Sequence, residues 1–166
     1  MEFRTNRLTV RPMSLTDKED ILDLVTNETV GKTYMFPVFE NREAAEPLFQ
    51  RLVKLCEDES RYVAGVYLNE RFIGMMNGVD IKDKQIEMGY AYLPAYYNQG
   101  FATEAFAGAI DYLLGCGFET VLAGAFEENP ASIRVMEKCG MEKISFTEEI
   151  EYRGKPHHCV YYAITK

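Results

Sequence analysis

The chain has 166 residues, which suits a single domain, and 47% of them are hydrophobic, so it can bury a substantial core. Its formal net charge of −8 argues against a nucleic acid partner, because phosphate backbones attract basic surfaces. An acidic chain is compatible with cationic ligands such as amines, although many enzymes with other ligands are equally acidic.

The first third of the chain is predicted to form one strand and two helices. Leu8 and Val10 alternate with polar neighbours, which is typical of a half-buried strand. A capping box at Thr16 and Glu19 indicates that a helix begins there. After a loop that contains glycine and proline, residues 45–56 show the apolar spacing of a second helix.

Three consecutive strands are predicted next, at residues 61–68, 71–81 and 85–93. Asn69-Glu70 and Asp83-Lys84 lie between them and are short enough for hairpin turns, so we expect antiparallel order. Pro94 ends the third strand, since proline has no N–H to donate to a sheet.

The last third adds two helices and three strands. A third helix is predicted from about Thr103, and a short apolar strand at 121–126 follows it. An Asn-Pro pair at residue 129 is a strong start for a fourth helix. Two final strands are joined by residues 153–155. We find no repeat or linker, so residues 1–166 are predicted to form one mixed α/β domain.

Neither targeting segments nor metal sites are expected. The N-terminal residues contain no continuous apolar segment, and no apolar stretch approaches the roughly 20 residues that cross a bilayer. We therefore expect a cytoplasmic protein without membrane contact. The four cysteines lack CxxC spacing and are interpreted as small buried hydrophobic residues. His157 and His158 are adjacent in a predicted strand, so they point to opposite faces and cannot chelate one ion.

The segment from Leu93 to Glu104 ends a strand, turns at Gly100 and begins an amphipathic helix. A helix N-terminus offers unpaired N–H groups, and a diphosphate can bind there if Gly100 lets the backbone approach closely. A plain strand-to-helix connection explains the segment at least as well, because isolated glycine turns are weak evidence.

Glu87 is a candidate general base. On its strand it shares a face with Gly89 and Ala91, two small residues that leave room for a ligand. A glycine inside a strand also suggests a bulge or a close backbone approach. The alternative is a solvated glutamate that pairs with Lys82 or Lys84, and the sequence pattern does not decide between the two.

Ser132 is a second candidate. It lies on one helical stripe with Val135, Met136 and Cys139, so its hydroxyl points inward and needs a partner. The alternative is a bond back to the first helical turn. Asn129 is interpreted by default as the N-cap of this helix.

Four segments in order resemble the GNAT superfamily of acetyltransferases, and most closely its RimJ/RimL-type branch of ribosomal-protein N-terminal acetyltransferases. Together they span nearly the whole chain: RTNRLTVRPMSLTD, IEMGYAYLPAYYNQGFATEA, ENPASIRVMEKCGM and YRGKPHHCVYYAITK. The resemblance implies a mixed, mostly antiparallel sheet of about seven strands with about four helices. It also implies a V-shaped gap between strands 4 and 5, here 85–93 and 121–126.

The same resemblance implies acetyl-CoA as the acetyl donor. Its pyrophosphate would be held by the backbone of a loop and helix start, namely Asn98, Gln99, Gly100, Phe101, Ala102 and Thr103. Its pantetheine arm would pair with the backbone of Tyr90, Ala91 and Tyr92 as if it were an extra strand. The side chain of Asn129 would contact that arm, and a backbone N–H near Gly89 would polarise the acetyl carbonyl.

Three positions depart from the family pattern. Tyr97 stands where many relatives have glutamine or arginine, and Gly124 excludes the glutamate that one branch carries on the fifth strand. Met136 replaces a tyrosine that protonates the leaving thiolate in many relatives, and Ser132 is the expected substitute.

The resulting hypothesis is direct attack of an amine on the thioester, with Glu87 as base and Ser132 or solvent as acid. A peptide α-amine with a pKa of about 7.7–8.0 suits a carboxylate base better than an amine near 10.4. An N-terminal peptide is therefore favoured over a small-molecule amine. One alternative is a non-catalytic acyl-CoA sensor; another is a nucleotide-binding module, which would require a parallel, doubly wound sheet. Exposed strands in the tail are compatible with a homodimer.

Overall fold

The computed structural model of the protein describes residues 1–166 and contains one eight-stranded sheet with four α-helices. The strands are β1 (Phe3–Arg4), β2 (Leu8–Arg11), β3 (Ala64–Leu68), β4 (Arg71–Lys82), β5 (Gln85–Tyr92), β6 (Thr120–Phe126), β7 (Glu142–Tyr152) and β8 (Lys155–Thr165). They lie in the order β1-β2-β3-β4-β5-β6-β8-β7. Only β5 and β6 are parallel, which excludes the doubly wound alternative.

The helices cover both faces of this sheet. They are α1 (Lys18–Val25), α2 (Glu46–Leu55), α3 (Phe101–Gly115) and α4 (Pro130–Lys138). The third buries most of the stripe expected from its apolar spacing, namely Ala105, Phe106, Ala109, Ile110 and Leu113. Ala102, which belongs to the same expected stripe, is only half-buried. It packs with α4 against one face, while α1 and α2 pack against the other, so the sheet separates two hydrophobic cores.

A V-shaped gap opens between β5 and β6. The two strands pair only through Gln85–Thr120, Ile86–Val121 and Glu87–Leu122. Beyond Glu87, β5 pairs with β4 alone, and beyond Leu122, β6 pairs with β8 alone. This confirms the splay predicted between the fourth and fifth strands of the sequence count, and it exposes one edge of β5 in the middle of the sheet.

Two features near the N-terminus differ from expectation. β1 is an eighth strand that was not predicted, because two residues are too few to show a period. The capping box is formed by Ser14 and Asp17 instead of Thr16 and Glu19, so a short 3-10 turn precedes α1. The Asp17 carboxylate is buried and also accepts a hydrogen bond from a tyrosine on β3, which explains why the box lies there.

Two element boundaries were also predicted wrongly. β3 begins at Ala64, because Tyr62 adopts a left-handed conformation with φ 52° and ends a 3-10 turn. α3 begins at Phe101, ahead of the predicted Thr103, because Gly100 already serves as its N-cap with φ 78°. The helix N-terminus therefore lies directly behind the glycine.

None of the helices is both long enough and apolar enough to span a membrane. No cluster of three or more His, Cys, Asp or Glu side chains has an arrangement that could hold a metal ion. All four cysteines are free. Cys56 and Cys159 are buried as expected, but Cys116 is exposed, so the interpretation as buried residues is wrong for it.

Candidate active site

The N-terminus of α3 has donors without protein acceptors. The N–H groups of Phe101, Ala102 and Thr103 make no hydrogen bond to the protein, and no side chain caps the helix. A methyl group on Gly100 would meet only the guanidinium of Arg7, at 3.4 Å, so the space above this glycine is open. These free amides and the helix dipole fit a diphosphate. Asn98 and Gln99 lead into the turn, with Asn98 at φ 59°.

Arg7 holds this turn in place, a role that was not predicted. Its Nη1 donates to the carbonyl oxygen of Gln99 at 3.1 Å, and its guanidinium lies 4.5 Å from the centre of the Phe101 ring. Its Nε donates to Glu104 Oε2 at 2.6 Å. Burial opposes ionisation of Glu104, but hydrogen bonds from Thr5 and Arg7 lower its pKa. A carboxylate in the first turn would repel a phosphate, so this ion pair keeps the helix N-terminus suitable for an anion.

The exposed edge of β5 presents the backbone of two tyrosines to the gap. The Leu93 N–H donates to the Ile73 carbonyl of β4 at 2.9 Å. Because hydrogen-bonded positions alternate along an antiparallel pair, Ala91 bonds to β4, whereas Tyr90 and Tyr92 turn their backbone groups towards the gap. An extended arm could therefore pair with Tyr90 and Tyr92. The expectation for Ala91 is wrong, since its backbone groups face the neighbouring strand.

Glu87 is the last residue of β5 that pairs with β6, so it lies where the gap begins. It forms no ion pair; Lys84 pairs with Glu119 instead, and Lys82 pairs with no acid, so the solvated-pair alternative for Glu87 is not observed. The side chain is half-buried. Burial raises the pKa of Glu87, and the nearby carboxylates of Glu148 and Asp80 raise it further. A carboxylate with a raised pKa is a stronger base.

The space beside Glu87 is more crowded than predicted. A methyl group on Gly89 would lie 3.3 Å from the Tyr34 hydroxyl and 3.2 Å from Asn77 Oδ1. These two side chains hydrogen bond to each other, so polar groups fill the room expected over the glycine. The predicted irregularity is also displaced, because the register shift lies in β4 around Val79 and β5 itself is regular. No sequence pattern links a loop residue such as Tyr34 to this strand.

Ser132 and Asn129 begin α4 on the far side of the gap. Asn129 is the N-cap, and its Oδ1 accepts a hydrogen bond from the Ser132 N–H at 3.3 Å. The Ser132 hydroxyl lies 2.8 Å from the Tyr90 hydroxyl, so the partner it requires is on β5 and the bond back to its own helix is not observed. Met136 is fully buried. Ser132 and Glu87 lie on opposite faces of the sheet, because Tyr90 and Glu87 alternate along β5.

The β7–β8 hairpin fastens the loop that carries Tyr34. The Tyr152 hydroxyl lies 2.7 Å from the Gly31 carbonyl oxygen, 3.1 Å from that of Phe36 and 3.2 Å from that of Tyr34. Arg153 Nε donates to the same hydroxyl at 3.1 Å. A surface cavity of about 390 Å³ lies beside this contact, lined by Val25, Thr26, Glu28, Pro37, Val38, Phe39, Asn41, Arg42 and Arg153.

Comparison with known proteins is consistent with this geometry. The chain is 26% identical over 170 residues to the uncharacterized N-acetyltransferase YoaA of Bacillus subtilis, covering 99% of this chain and 96% of the relative. Its fold is similar to RimL, a ribosomal L7/L12 alpha-N-protein acetyltransferase solved with coenzyme A, with a TM-score of 0.86, 16% identity and coverage of 99% and 98%. It is also similar to spermidine N-acetyltransferase from Vibrio cholerae, solved with CoA and spermine, with a TM-score of 0.80, 20% identity and coverage of 96% and 95%.

At these identities the two structural likenesses concern the fold alone. The family assignment comes from the sequence itself, because residues 7–142 match the family model of the acetyltransferase (GNAT) domain. That match includes the exposed edge of β5, the start of α3 and the start of α4. The chain therefore belongs to the GNAT family of acetyltransferases.

Proposed function

We propose that the protein transfers an acetyl group from acetyl-CoA to a primary amine in the cytoplasm, with a peptide N-terminal α-amine as the favoured acceptor, as in the RimJ/RimL-type branch. The observation that carries this proposal is the position of Glu87, unpaired and half-buried where β5 and β6 separate. A non-catalytic sensor would have no use for a base there.

Each part of the proposed site has a separate task. The free amides at Phe101, Ala102 and Thr103 would hold the pyrophosphate, and the backbone of Tyr90 and Tyr92 would hold the extended arm. When bound, acetyl-CoA would supply the acetyl group as a thioester, from which an amine can displace the thiol.

Glu87 and Ser132 would have different roles in the reaction. A Glu87 carboxylate oxygen would take the proton that an ammonium must lose before its nitrogen can attack, and the second proton, which that nitrogen loses as the amide forms, would pass to solvent. On the other face of the sheet, the Ser132 hydroxyl would donate a hydrogen bond to the leaving sulfur. The thiolate leaves with the electron pair of the broken carbon–sulfur bond and, since its thiol has a pKa near 8.5, would be protonated by solvent. The N–H of Tyr90 is directed to the gap and would polarise the acetyl carbonyl in place of the N–H expected at Gly89.

A small polyamine is a second candidate acceptor. Glu148 and Asp80 lie close enough to raise the pKa of Glu87, and neither belongs to an ion pair. Uncompensated carboxylates on one face attract cations. The raised pKa of Glu87 also reduces the disadvantage of a strongly basic amine.

An amine-panel assay tests both acceptors. CoA release is followed with acetyl-CoA and peptides with free α-amines, lysine-like amines or polyamines, for the unchanged protein and for Glu87→Gln. We expect amine-dependent turnover that falls by about 10²- to 10⁴-fold in the variant, the usual contribution of a general base. Acetyl-CoA affinity, measured by calorimetry, should stay unchanged. Full turnover in the variant would exclude Glu87 as the base, and binding without turnover on every amine would favour the sensor.

A further inference from the structure

The phenol of Tyr90 makes the one side-chain hydrogen bond that joins β5 to α4 across the gap. Its oxygen lies 2.8 Å from Ser132 Oγ and 3.2 Å from the Ser132 carbonyl oxygen. Tyr90 lies three residues beyond Glu87, where pairing between β5 and β6 has ended. The contact therefore lies under the open part of the gap, on the face covered by α3 and α4.

Two arrangements of the hydroxyl hydrogens fit these distances. If Tyr90 donates to the Ser132 carbonyl oxygen, the Ser132 hydroxyl donates to the phenol oxygen and has no hydrogen left for a ligand. If Tyr90 donates to Ser132 Oγ, the Ser132 hydrogen is free to point into the gap. Only the second arrangement lets Ser132 donate to a ligand.

The surroundings of Tyr90 make it a permanent donor. Its ring packs against Phe106 with 4.8 Å between centroids, and burial raises the pKa of the phenol, which stays protonated at all working pH values. Ser132 lies in the first turn of α4, where the helix dipole favours negative charge. The Asn129 cap fixes that turn.

We propose that Tyr90 is a positioning residue, whose phenol donates to Ser132 Oγ and turns the Ser132 hydrogen towards the sulfur of the bound coenzyme. This inference rests on the proposed acetyl transfer. As the carbon–sulfur bond breaks, its electron pair stays on sulfur, and the Ser132 hydrogen bond stabilises that charge. Neither hydroxyl loses its proton, and the thiolate is protonated by solvent.

Ligand binding without turnover tests the inference. Affinities for CoA and for desulfo-CoA are measured by calorimetry at pH 9, where a thiol of pKa about 8.5 is mostly ionised. The unchanged protein should prefer CoA by about tenfold, the usual value of a hydrogen bond to a charged group. Tyr90→Phe and Ser132→Ala should each abolish this preference, and the double variant should lose no more than either single one, because the two hydroxyls act as a unit.

The control is Tyr162→Phe. The phenol of Tyr162 also reaches α4 from the sheet, 3.5 Å from Glu137 Oε1, and its strand β8 is separated from the gap by β6. This variant should keep the preference for CoA. The inference is wrong if Tyr90→Phe retains the preference, or if it weakens both ligands equally, as a merely structural residue would.

The test separates this inference from the proposed function. Amine-dependent turnover combined with equal binding of CoA and desulfo-CoA by the unchanged protein would overturn the role of Tyr90 and leave the acetyltransferase intact. If Tyr90→Phe does not fold, Ser132→Ala still tests the pair, because it removes the hydroxyl that Tyr90 is inferred to orient and keeps the tyrosine in the core. An unaltered preference in that variant would also overturn the inference.

Discussion

At the scale of single residues, a half-buried carboxylate such as Glu87 has a stability cost. Burial and two neighbouring carboxylates raise its pKa in the folded protein, so the folded state binds its proton more tightly than the unfolded state does. By linkage, stability then falls as pH rises through the interval between the ordinary and the raised pKa. The side chain suited to act as a base therefore opposes folding at neutral pH.

Glu87→Gln should consequently be more stable than the unchanged protein at pH 7, although we expect its turnover to fall. We expect a gain of about 0.5 kcal/mol, small because solvent screens a half-buried group. The free energy of urea unfolding, measured at pH 7 and again below pH 4, checks this. The gain should vanish at the lower pH, where Glu87 is protonated in both the folded and the unfolded protein. A loss of stability at pH 7 would mean that Glu87 makes a favourable contact in its charged form.

The elements around the gap depend on the conformation of one glycine. Gly100 has φ 78° and open space around its α-carbon, so alanine fits sterically but pays the left-handed penalty of about 1–2 kcal/mol. Relief of that strain would move the turn that presents the α3 amides. Gly100→Ala should therefore raise the KM for acetyl-CoA by about tenfold and change kcat little.

Gly140 offers a matched control for this substitution. It has φ 79°, and a methyl group there would meet only Ile164, at 3.8 Å. Gly140→Ala carries the same backbone strain behind α4, so it should lower the melting temperature to a similar extent. Its KM for acetyl-CoA should remain unchanged. An equal rise of KM in both variants would show that strain alone explains the effect.

The β7–β8 hairpin positions the loop that carries Tyr34, where we expect the acceptor amine to bind. Tyr152 is the single hydroxyl that meets three carbonyl oxygens of that loop. Tyr152→Phe should loosen the loop and with it Tyr34, raising the KM for the amine about three- to tenfold while the KM for acetyl-CoA stays constant. Steady-state kinetics with each substrate varied in turn will measure this. Tyr62→Phe, which removes a phenol without such partners, should alter neither constant.

For the molecule as a whole, periodicity predicted the order of elements better than their ends. The four helices and seven of the eight strands were predicted from apolar spacing together with capping and turn residues, and the gap was predicted from the family resemblance. β1 was missed because two residues cannot show a period. The start of α3 was misplaced because its N-cap is a glycine, which lacks the capping side chain that marks a helix start in a sequence.

The candidate site was predictable where function depends on local sequence. Gly100 and Asn129 lie at helix starts, and Glu87 lies on a strand whose faces can be counted. The contacts of Tyr34 and Arg7 were not predicted, because they join residues far apart in sequence. Ala91 was assigned wrongly because backbone groups along a strand point alternately to its two neighbours. The sequence does not show which residues of β5 bond to β4 and which face the gap.

Only three residue pairs between β5 and β6 join the two halves of the sheet, and they lie at one end of the gap. One half holds β1 to β5 and the other holds β6 to β8, and beyond the paired residues no backbone ladder joins β5 to β6. A molecule that pairs with the free edge of β5 would add backbone hydrogen bonds there. Binding in the gap would then strengthen the contact between the two halves of the sheet. The whole sheet should therefore loosen when the product leaves.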